Sequence, residues 1–336
     1  MKRGILLAAF GSGSSQGEST LRRFDAQVRK AFPDVSVRWA FTSMLMRERL
    51  ASARKKSDSV HKALKKMAFE KFTHVAVQPV HVIPGLEYGD IVSDADELRA
   101  DGTFASLVVG APLLTESQAS VDRAARALLA ELPSGRAPGE PVLFMGHGSR
   151  HAAESRYEAL AAAVRERDPL VLMGTLNGTI RLEHIVEHLR ASGRPFDRVW
   201  LLPLLAVVGR HTLEDMAGDS EHSWRSRLEA EGIACVPVLR GMMEYQGFMD
   251  ICRQSGAGYE GWAERSGRGE GTFCRSSFSS PDPLLLIFKD FRKGRCGVRR
   301  RGGDSYWRLS PGIAAGRTKT CCHDIEDRQR RESTKG

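Results

Sequence analysis

Two histidines follow short apolar segments at corresponding places in the two halves of the chain. His147 lies between two glycines directly after residues 142–145, and His211 follows the apolar residues 198–202 through a short loop. A neutral imidazole binds borderline divalent cations such as cobalt, iron, nickel or zinc, and it accepts protons near neutral pH. Two imidazoles directed into one cleft would therefore suit chemistry on a divalent metal ion.

The chain repeats part of its own pattern, and the repeat relates a carboxylate to one of these histidines. Residues 72–79 match residues 196–203 at their Phe, Val and Pro positions, and the same offset places Glu87 on His211. A match that includes apolar, turn and polar positions indicates a duplicated unit, so Glu87 becomes the third candidate for the site. His81 lies in the same loop as Glu87 and is interpreted as a packed histidine, with a supporting role at the site as the alternative.

Short apolar runs alternate with longer amphipathic runs, a pattern typical of a parallel sheet covered by helices. The predicted strands comprise residues 5–10, 35–41, 74–79, 107–111, 142–145, 170–174, 198–202 and 234–239. The predicted helices comprise residues 20–32, 47–69, 90–100, 118–132, 152–167, 181–191, 223–231 and 242–251. The sequence therefore predicts an α/β fold with two four-stranded parallel sheets. In such sheets, ligands bind beyond the carboxyl ends of the strands.

Composition divides the chain into three parts. A turn-rich linker at residues 133–140 separates a predicted first domain, residues 1–133, from a second, residues 134–252. Residues 253–336 are basic and rich in Gly, Arg and Ser. This tail is predicted to be largely disordered, because it cannot bury enough apolar surface to offset the entropy lost on ordering.

The excess positive charge lies almost wholly in that tail. Residues 1–252 contain 32 Lys and Arg against 31 Asp and Glu, whereas residues 253–336 contain 18 against 10. The two predicted domains thus carry no electrostatic signal for nucleic acid. No run reaches the roughly 18 apolar residues that cross a membrane, and residues 1–10 are too short in apolar length for a signal peptide. The few cysteines outside the tail show no pairing pattern, which fits a reducing compartment. The protein is therefore predicted to be cytoplasmic.

Three other patterns are weaker hypotheses. His184 and His188 match the H-x-x-E-H motif of inverted zinc peptidases, but they fall on the polar face of a predicted amphipathic helix. Ser14 and Ser149 lack the Gly-X-Ser-X-Gly elbow of a serine hydrolase. The tail sequence Cys321-Cys322-His323 lacks the ligand spacing of a closed zinc site.

Taken together, the motifs resemble those of the class II tetrapyrrole chelatases, and most closely the anaerobic-type sirohydrochlorin cobaltochelatases of the CbiK family. The resemblance extends from residue 1 to near residue 250, and the Asp-Met-Ala-Gly-Asp run just after His211 is its most specific part. The matching segments are residues 5–12, 81–85, 87–88, 145–149, 211, 215–219 and 223–224.

The resemblance implies two flavodoxin-like lobes with a tetrapyrrole held in the cleft between them. It implies that His147, His211 and Glu87 are the catalytic and metal-binding residues, with the histidines helping to remove the pyrrole protons and Glu87 as their acidic partner. The implied reaction inserts Co2+, as a substrate, into sirohydrochlorin during anaerobic cobalamin synthesis, without an organic cofactor. The alternatives are iron insertion into sirohydrochlorin or protoporphyrin, and a non-catalytic carrier of metal or tetrapyrrole. A homo-oligomer is compatible with the sequence.

Five further residues are predicted to bind the substrate. Arg150 and Arg210 flank the two histidines, and guanidinium groups match the carboxylates that sirohydrochlorin carries. Gly11 and Ser12 lie in the turn that corresponds to the turn of His147. Asn177 follows the sixth predicted strand, where family members often carry a metal-contacting glutamate.

Overall fold

The computed structural model describes residues 1–55, 57–193 and 196–255, with the backbone alone for residues 252–255. The first half comprises β1 (Arg3–Ala9), α1 (Ser15–Ala31), β2 (Ser36–Phe41), α2 (Met44–Ser52), α3 (Val60–Phe69), β3 (His74–Pro79), α4 (Leu86–Ala100), β4 (Ser106–Val109) and α5 (Gln118–Ala130).

The second half begins the cycle again after a turn-rich connection. It comprises β5 (Val142–Gly146), α6 (Ser155–Arg167), β6 (Val171–Thr175), α7 (Leu182–Ala191), β7 (Arg198–Leu204), α8 (Trp224–Ala230), β8 (Ala234–Pro237) and α9 (Gln246–Ser255). Two 3-10 turns, Ala152–Glu154 and Met242–Glu244, and a π-helix, His211–Met216, complete it.

Both sheets are parallel and share one topology, with strand orders β2-β1-β3-β4 and β6-β5-β7-β8. The predicted α/β fold with two four-stranded parallel sheets is confirmed. In each sheet the chain leaves β1 or β5 toward one edge and β3 or β7 toward the other. A crevice therefore opens where the two connections diverge, at the carboxyl ends of the strands. The loops that carry the predicted site residues begin at these crevices.

The amphipathic pattern of the helices decides which residues face the sheets. In α7, the two histidines of the peptidase-like motif, His184 and His188, are exposed. The interpretation of this motif as a solvated helix face is confirmed. The buried face of α7 consists of Leu182, Ile185, Val186 and Leu189. Full burial of one large apolar side chain of this kind contributes roughly 1.5–3 kcal/mol to folding.

Helix α5 belongs to the second lobe by packing, although it precedes the predicted boundary at residue 133. Its residues Val121 and Leu128 share a core with Phe144 of β5 and Leu160 of α6. The predicted boundary is placed at the turn-rich linker because of its composition. The packing of α5 is instead decided by the second sheet and its helices, which cover its apolar face.

The prediction of one helix over residues 47–69 is wrong. The structure has two helices, because α2 ends at Ser52 and Arg54 adopts a left-handed φ of 56° that a continuing helix cannot contain. Ser59 then begins α3 as its N-cap, accepting a hydrogen bond from the backbone N–H of Lys62. The serine-rich composition of this segment was the available signal.

The predicted tail lies almost wholly outside the described residues. Helix α9 continues through Ser255, past the predicted boundary at residue 252. The predicted disorder of the remainder and the Cys321-Cys322-His323 sequence fall beyond the part that the structure describes. Within residues 1–55, 57–193 and 196–255, no helix is both long enough and apolar enough to span a membrane.

Candidate active site

His147 follows directly from β5 and is exposed at the carboxyl end of its sheet. Gly148 makes the sharp exit of the chain possible. Its φ is +75°, and a Cβ atom there would lie 2.5 Å from the backbone nitrogen of Gly178. The Nδ1 atom of His147 lies 2.9 Å from the carbonyl oxygen of Gly148. Because a carbonyl only accepts hydrogen bonds, Nδ1 carries the proton and Nε2 keeps a free lone pair.

His211 is the first residue of the π-helix, which follows the loop after β7. Its Nδ1 atom lies 2.6 Å from Oδ2 of Asp215. A carboxylate in this position fixes the protonated nitrogen as Nδ1 and orients the ring, as in many metal-binding histidines. Single-turn π-helices of this kind are frequent at functional sites.

The two rings meet edge to face. Their centroids are 4.9 Å apart, with an interplanar angle of 70°. The sequence separation of the two residues gives no hint of this proximity, which arises because β5 and β7 are hydrogen-bonded neighbours. Two imidazoles this close to each other make a candidate site for chemistry on a divalent cation.

Glu87 approaches the same region from the first lobe. It lies in the first turn of α4, after Gly85, which caps that helix without a side-chain hydrogen bond. Burial is the largest cause that raises the pKa of Tyr157, followed by the charge of Glu154. The charge of Glu87 raises this pKa by a smaller amount. The Tyr157 ring lies under the His147 loop, 2.9 Å from the place of a Cβ atom at Gly146.

The metal-ligand set predicted from the sequence is only partly assembled. The structure brings His147 and His211 together. In residues 1–55, 57–193 and 196–255, no three side chains of His, Cys, Asp or Glu are grouped closely enough to hold a metal ion. Among these residues, Glu87 is thus not grouped with the two histidines as a third ligand.

His81 is held inside the first lobe. Its Nε2 atom lies 3.2 Å from the hydroxyl of Thr42, and its buried Nδ1 atom has no hydrogen-bond partner among the described residues. Burial lowers the pKa of His81 to about 4, against a smaller opposite effect of Glu87. The ring is neutral at physiological pH, in keeping with the interpretation of a packed histidine.

Three of the predicted substrate-binding residues are exposed at the surface, and the other two shape the loop after β1. Arg150 and Asn177 are exposed, as is Arg210, whose Nε donates to Glu214 at 2.7 Å. Ser12 is buried, with its hydroxyl 3.2 Å from that of Ser14. Gly11 has a φ of +107°, and a Cβ atom there would lie 2.5 Å from Cγ of Met46. Gly11 and Ser12 thus shape the first loop.

The first lobe also contacts the loop that leads to His211. The hydroxyl of Ser14 donates to the carbonyl of Val208 at 2.5 Å while accepting from the N–H of Gly17. A Cβ atom at Gly17 would lie 2.8 Å from the same carbonyl, so the start of α1 fits closely against this loop. Sequence reasoning missed the roles of Ser14 and Asp215, although a serine before a helix and an acidic residue four positions after a histidine were visible signals.

Comparison with known proteins identifies the family. The model of the family described as Cobalt chelatase (CbiK) matches residues 3–254. The chain is 62% identical over 250 residues to the sirohydrochlorin cobaltochelatase CbiKC of Nitratidesulfovibrio vulgaris, covering 74% of this chain and 88% of the relative. The chain belongs to the cobalt chelatase (CbiK) family. The family predicted from the motifs is thereby confirmed.

Two further comparisons concern a second sequence relative and a solved structure. A sirohydrochlorin cobaltochelatase of Salmonella typhimurium is 32% identical over 246 residues, covering 73% of this chain and 91% of the relative. The structure of SirB from Bacillus subtilis with Fe3+ superposes with a TM-score of 0.54 at 15% identity, covering 78% of this chain and 98% of SirB. The second similarity establishes the fold alone.

Proposed function

We propose that this chain is a sirohydrochlorin cobaltochelatase, which inserts Co2+ into sirohydrochlorin in the cytoplasm during anaerobic cobalamin synthesis. The observation that carries the proposal is the pair of imidazoles 4.9 Å apart, each with Nδ1 engaged and Nε2 free. Membership of the CbiK family and the names of the two relatives support the choice of metal and macrocycle.

Metal capture comes first in this mechanism. Co2+ arrives hydrated, and the Nε2 atoms of His147 and His211 replace two of its water ligands. Two imidazoles hold a first-row ion less permanently than a closed thiolate site does, so the ion can still be released. Solvent exposure of His147 leaves the remaining coordination positions open for the macrocycle.

Proton removal follows from the same two atoms. Insertion forms bonds from Co2+ to the macrocycle nitrogens and releases two N–H protons. Each Nε2 atom that gives up the ion regains the lone pair that accepts one proton. Asp215 stabilises the imidazolium that forms at His211, and the carbonyl of Gly148 does so at His147.

The facing lobe and the exposed arginines supply charge of both signs. Glu87 offsets the positive charge that accumulates while Co2+ and two imidazolium groups share the cleft. Arg150 and Arg210, beside the histidines in sequence, anchor carboxylates at the rim. Gly11, Ser12 and Asn177 belong to the loops that border the substrate.

A reconstitution assay tests the proposal. Purified chain is mixed with sirohydrochlorin and Co2+, and the change of the absorption spectrum is compared with the uncatalysed control. We expect His147→Ala and His211→Ala each to lower the rate by roughly 10²–10⁴-fold, the usual contribution of a positioned base. His188→Ala, which alters an exposed histidine on α7, is the matched control. A wild-type rate no faster than the control would contradict the proposal, and parallel assays with Fe2+ and protoporphyrin test the choice of metal and macrocycle.

A further inference from the structure

A buried carboxylate lies directly behind the His147 loop and has no part in the chemistry above. Glu154, at the start of α6, is only 6% exposed. Its Oε2 atom accepts a hydrogen bond from the backbone N–H of Ser149 at 2.7 Å. Its Oε1 atom accepts from the N–H of Thr179 at 3.1 Å and from the hydroxyl of Thr175 at 3.2 Å. Among the described residues, no ion pair includes Glu154.

These three hydrogen bonds join two loops at the rim of the second sheet. Ser149 belongs to the loop after β5, which carries His147, and Thr179 belongs to the loop after β6. The loops also contact each other directly, because the N–H of Asn177 donates to the carbonyl of His147 at 2.9 Å. The carboxylate of Glu154 and the hydrogen bond from Asn177 to His147 thus both hold the loop after β5 against the loop after β6.

The space around the carboxylate is filled by backbone. A Cβ atom at Gly178 would lie 1.7 Å from Oε1 of Glu154, and a Cβ atom at Gly148 would lie 2.5 Å from the nitrogen of Gly178. Only glycines at these two positions let the loops pack so closely around one side chain. Removing the carboxylate would take the acceptor away from the N–H groups of Ser149 and Thr179, so the two loops would lose the side chain that joins them.

We propose that Glu154 is a positioning residue for His147, a role that rests on the proposed function of the histidine pair. It fixes the loop after β5 so that the ring of His147 stays 4.9 Å from that of His211. A displacement of about 1 Å at a reacting group can lower a rate roughly 100-fold. Only a carboxylate suits the position, because glutamine offers one acceptor oxygen and turns its NH2 group toward an N–H donor.

A double-mutant cycle distinguishes positioning from general stabilisation. Glu154→Gln is prepared alone and together with His147→Ala, and Co2+ binding to the protein alone and the rate of cobalt insertion are measured for each. We expect Glu154→Gln to raise the Kd for Co2+ by about 10-fold or more and to lower the rate. In the His147→Ala background it should change neither value, because the ring that it positions is already absent.

Glu158→Gln is the matched control. Glu158 lies one turn further along α6, is exposed, and accepts a hydrogen bond from the hydroxyl of the same Thr179 at 2.7 Å. This variant should leave Co2+ binding and the rate unchanged in both backgrounds. Equal losses from Glu154→Gln with and without His147 would overturn the proposal, since they would show a general effect on the fold.

The test also covers two other outcomes: a Glu154→Gln variant that does not fold, and a wild-type chain that does not insert Co2+. If Glu154→Gln gives no cooperative thermal unfolding, Thr175→Val replaces it, removing one hydrogen-bond donor to the carboxylate while preserving side-chain shape. The same dependence on His147 is then required, and its absence overturns the proposal. If the wild-type chain binds Co2+ without inserting it, the proposed function fails, yet the Co2+ binding cycle still decides the role of Glu154.

Discussion

Asp215 holds the ring of His211 from one side, with its Oδ2 atom 2.6 Å from Nδ1. This contact leaves Nε2 as the only nitrogen that can bind a metal ion or accept a proton. The orientation of His211 is therefore set within the π-helix itself, whereas His147 is oriented by the carbonyl of its neighbour Gly148.

Replacing Asp215 should weaken the site without removing either histidine. In Asp215→Asn, an amide replaces the carboxylate beside Nδ1, and its NH2 group favours a proton on Nε2 instead of Nδ1. We expect Co2+ affinity and insertion rate to fall by about 10–100-fold, as is typical for such partners of metal-binding histidines. Glu221→Gln, which alters an exposed carboxylate farther along the same segment, should change both much less. Titration with Co2+ and steady-state rates provide the measurements, and equal effects of the two variants would contradict the role of Asp215.

Gly148 should tolerate no side chain. In Gly148→Ala the new Cβ atom meets backbone at 2.5 Å and the φ of +75° is unfavourable for alanine. We expect a loss of at least about 3 kcal/mol in the free energy of unfolding. Gly102→Ala has a similar φ of +63° but nothing within 4 Å of the new atom, so it should cost only about 1–2 kcal/mol. Urea unfolding of both variants measures the difference, and equal losses would argue against the close packing.

Ser14 should affect both stability and activity. Ser14→Ala removes the N-cap of α1, which costs about 1 kcal/mol, and also the hydrogen bond to Val208 in the loop that leads to His211. Ser59→Ala removes the N-cap of α3 alone and should cost a similar amount of stability. We expect only Ser14→Ala to lower the insertion rate. Thermal unfolding and rates of both variants decide, and unaltered activity of Ser14→Ala would exclude a contribution of this contact.

Acidification should destabilise the protein through His81. The pKa of His81 is about 4 in the folded protein and near 6.5 in the unfolded chain, so the unfolded chain binds the extra proton between these values. Stability is therefore complete above about pH 6.5 and falls as the pH drops toward 4, by up to about 3 kcal/mol. His81→Asn should flatten this dependence, whereas His188→Asn on the exposed face of α7 should preserve it. Urea unfolding at pH 7 and pH 5 measures the effect, and an unchanged slope in His81→Asn would contradict it.

Arg210 should act on substrate binding more than on turnover. Arg210→Met removes an exposed guanidinium next to His211, so we expect KM for sirohydrochlorin to rise while kcat changes less. Arg190→Met likewise removes an exposed arginine from a carboxylate partner, Glu231, but on α7. Its kinetics should match those of the wild type. A fall in kcat without a rise in KM for Arg210→Met would refute the anchoring role.

Features set by local apolar patterns could be predicted from the sequence, whereas features set by single backbone conformations or by contacts between distant residues could not. Periodic apolar runs identified every strand of both sheets, because burial on both faces of a parallel sheet imposes continuous apolar segments. The break between α2 and α3 was missed because it depends on the conformation of Arg54. The place of α5 was missed because a helix packs on whichever sheet covers its apolar face.

By itself, the sequence determined the α/β fold, the duplicated pattern, and the presence of His147 and His211 in loops at the carboxyl ends of strands. It also contained the motifs by which the chain resembles the CbiK family. Only the tertiary structure decided that the two rings lie 4.9 Å apart, that no three possible metal ligands are grouped within the described part of the chain, and that Glu154 lies behind His147. The reason is physical: distances between residues far apart in the chain depend on strand pairing and loop packing, and hydrogen bonds fix a ring only when the backbone places donor and acceptor within a few tenths of an ångström.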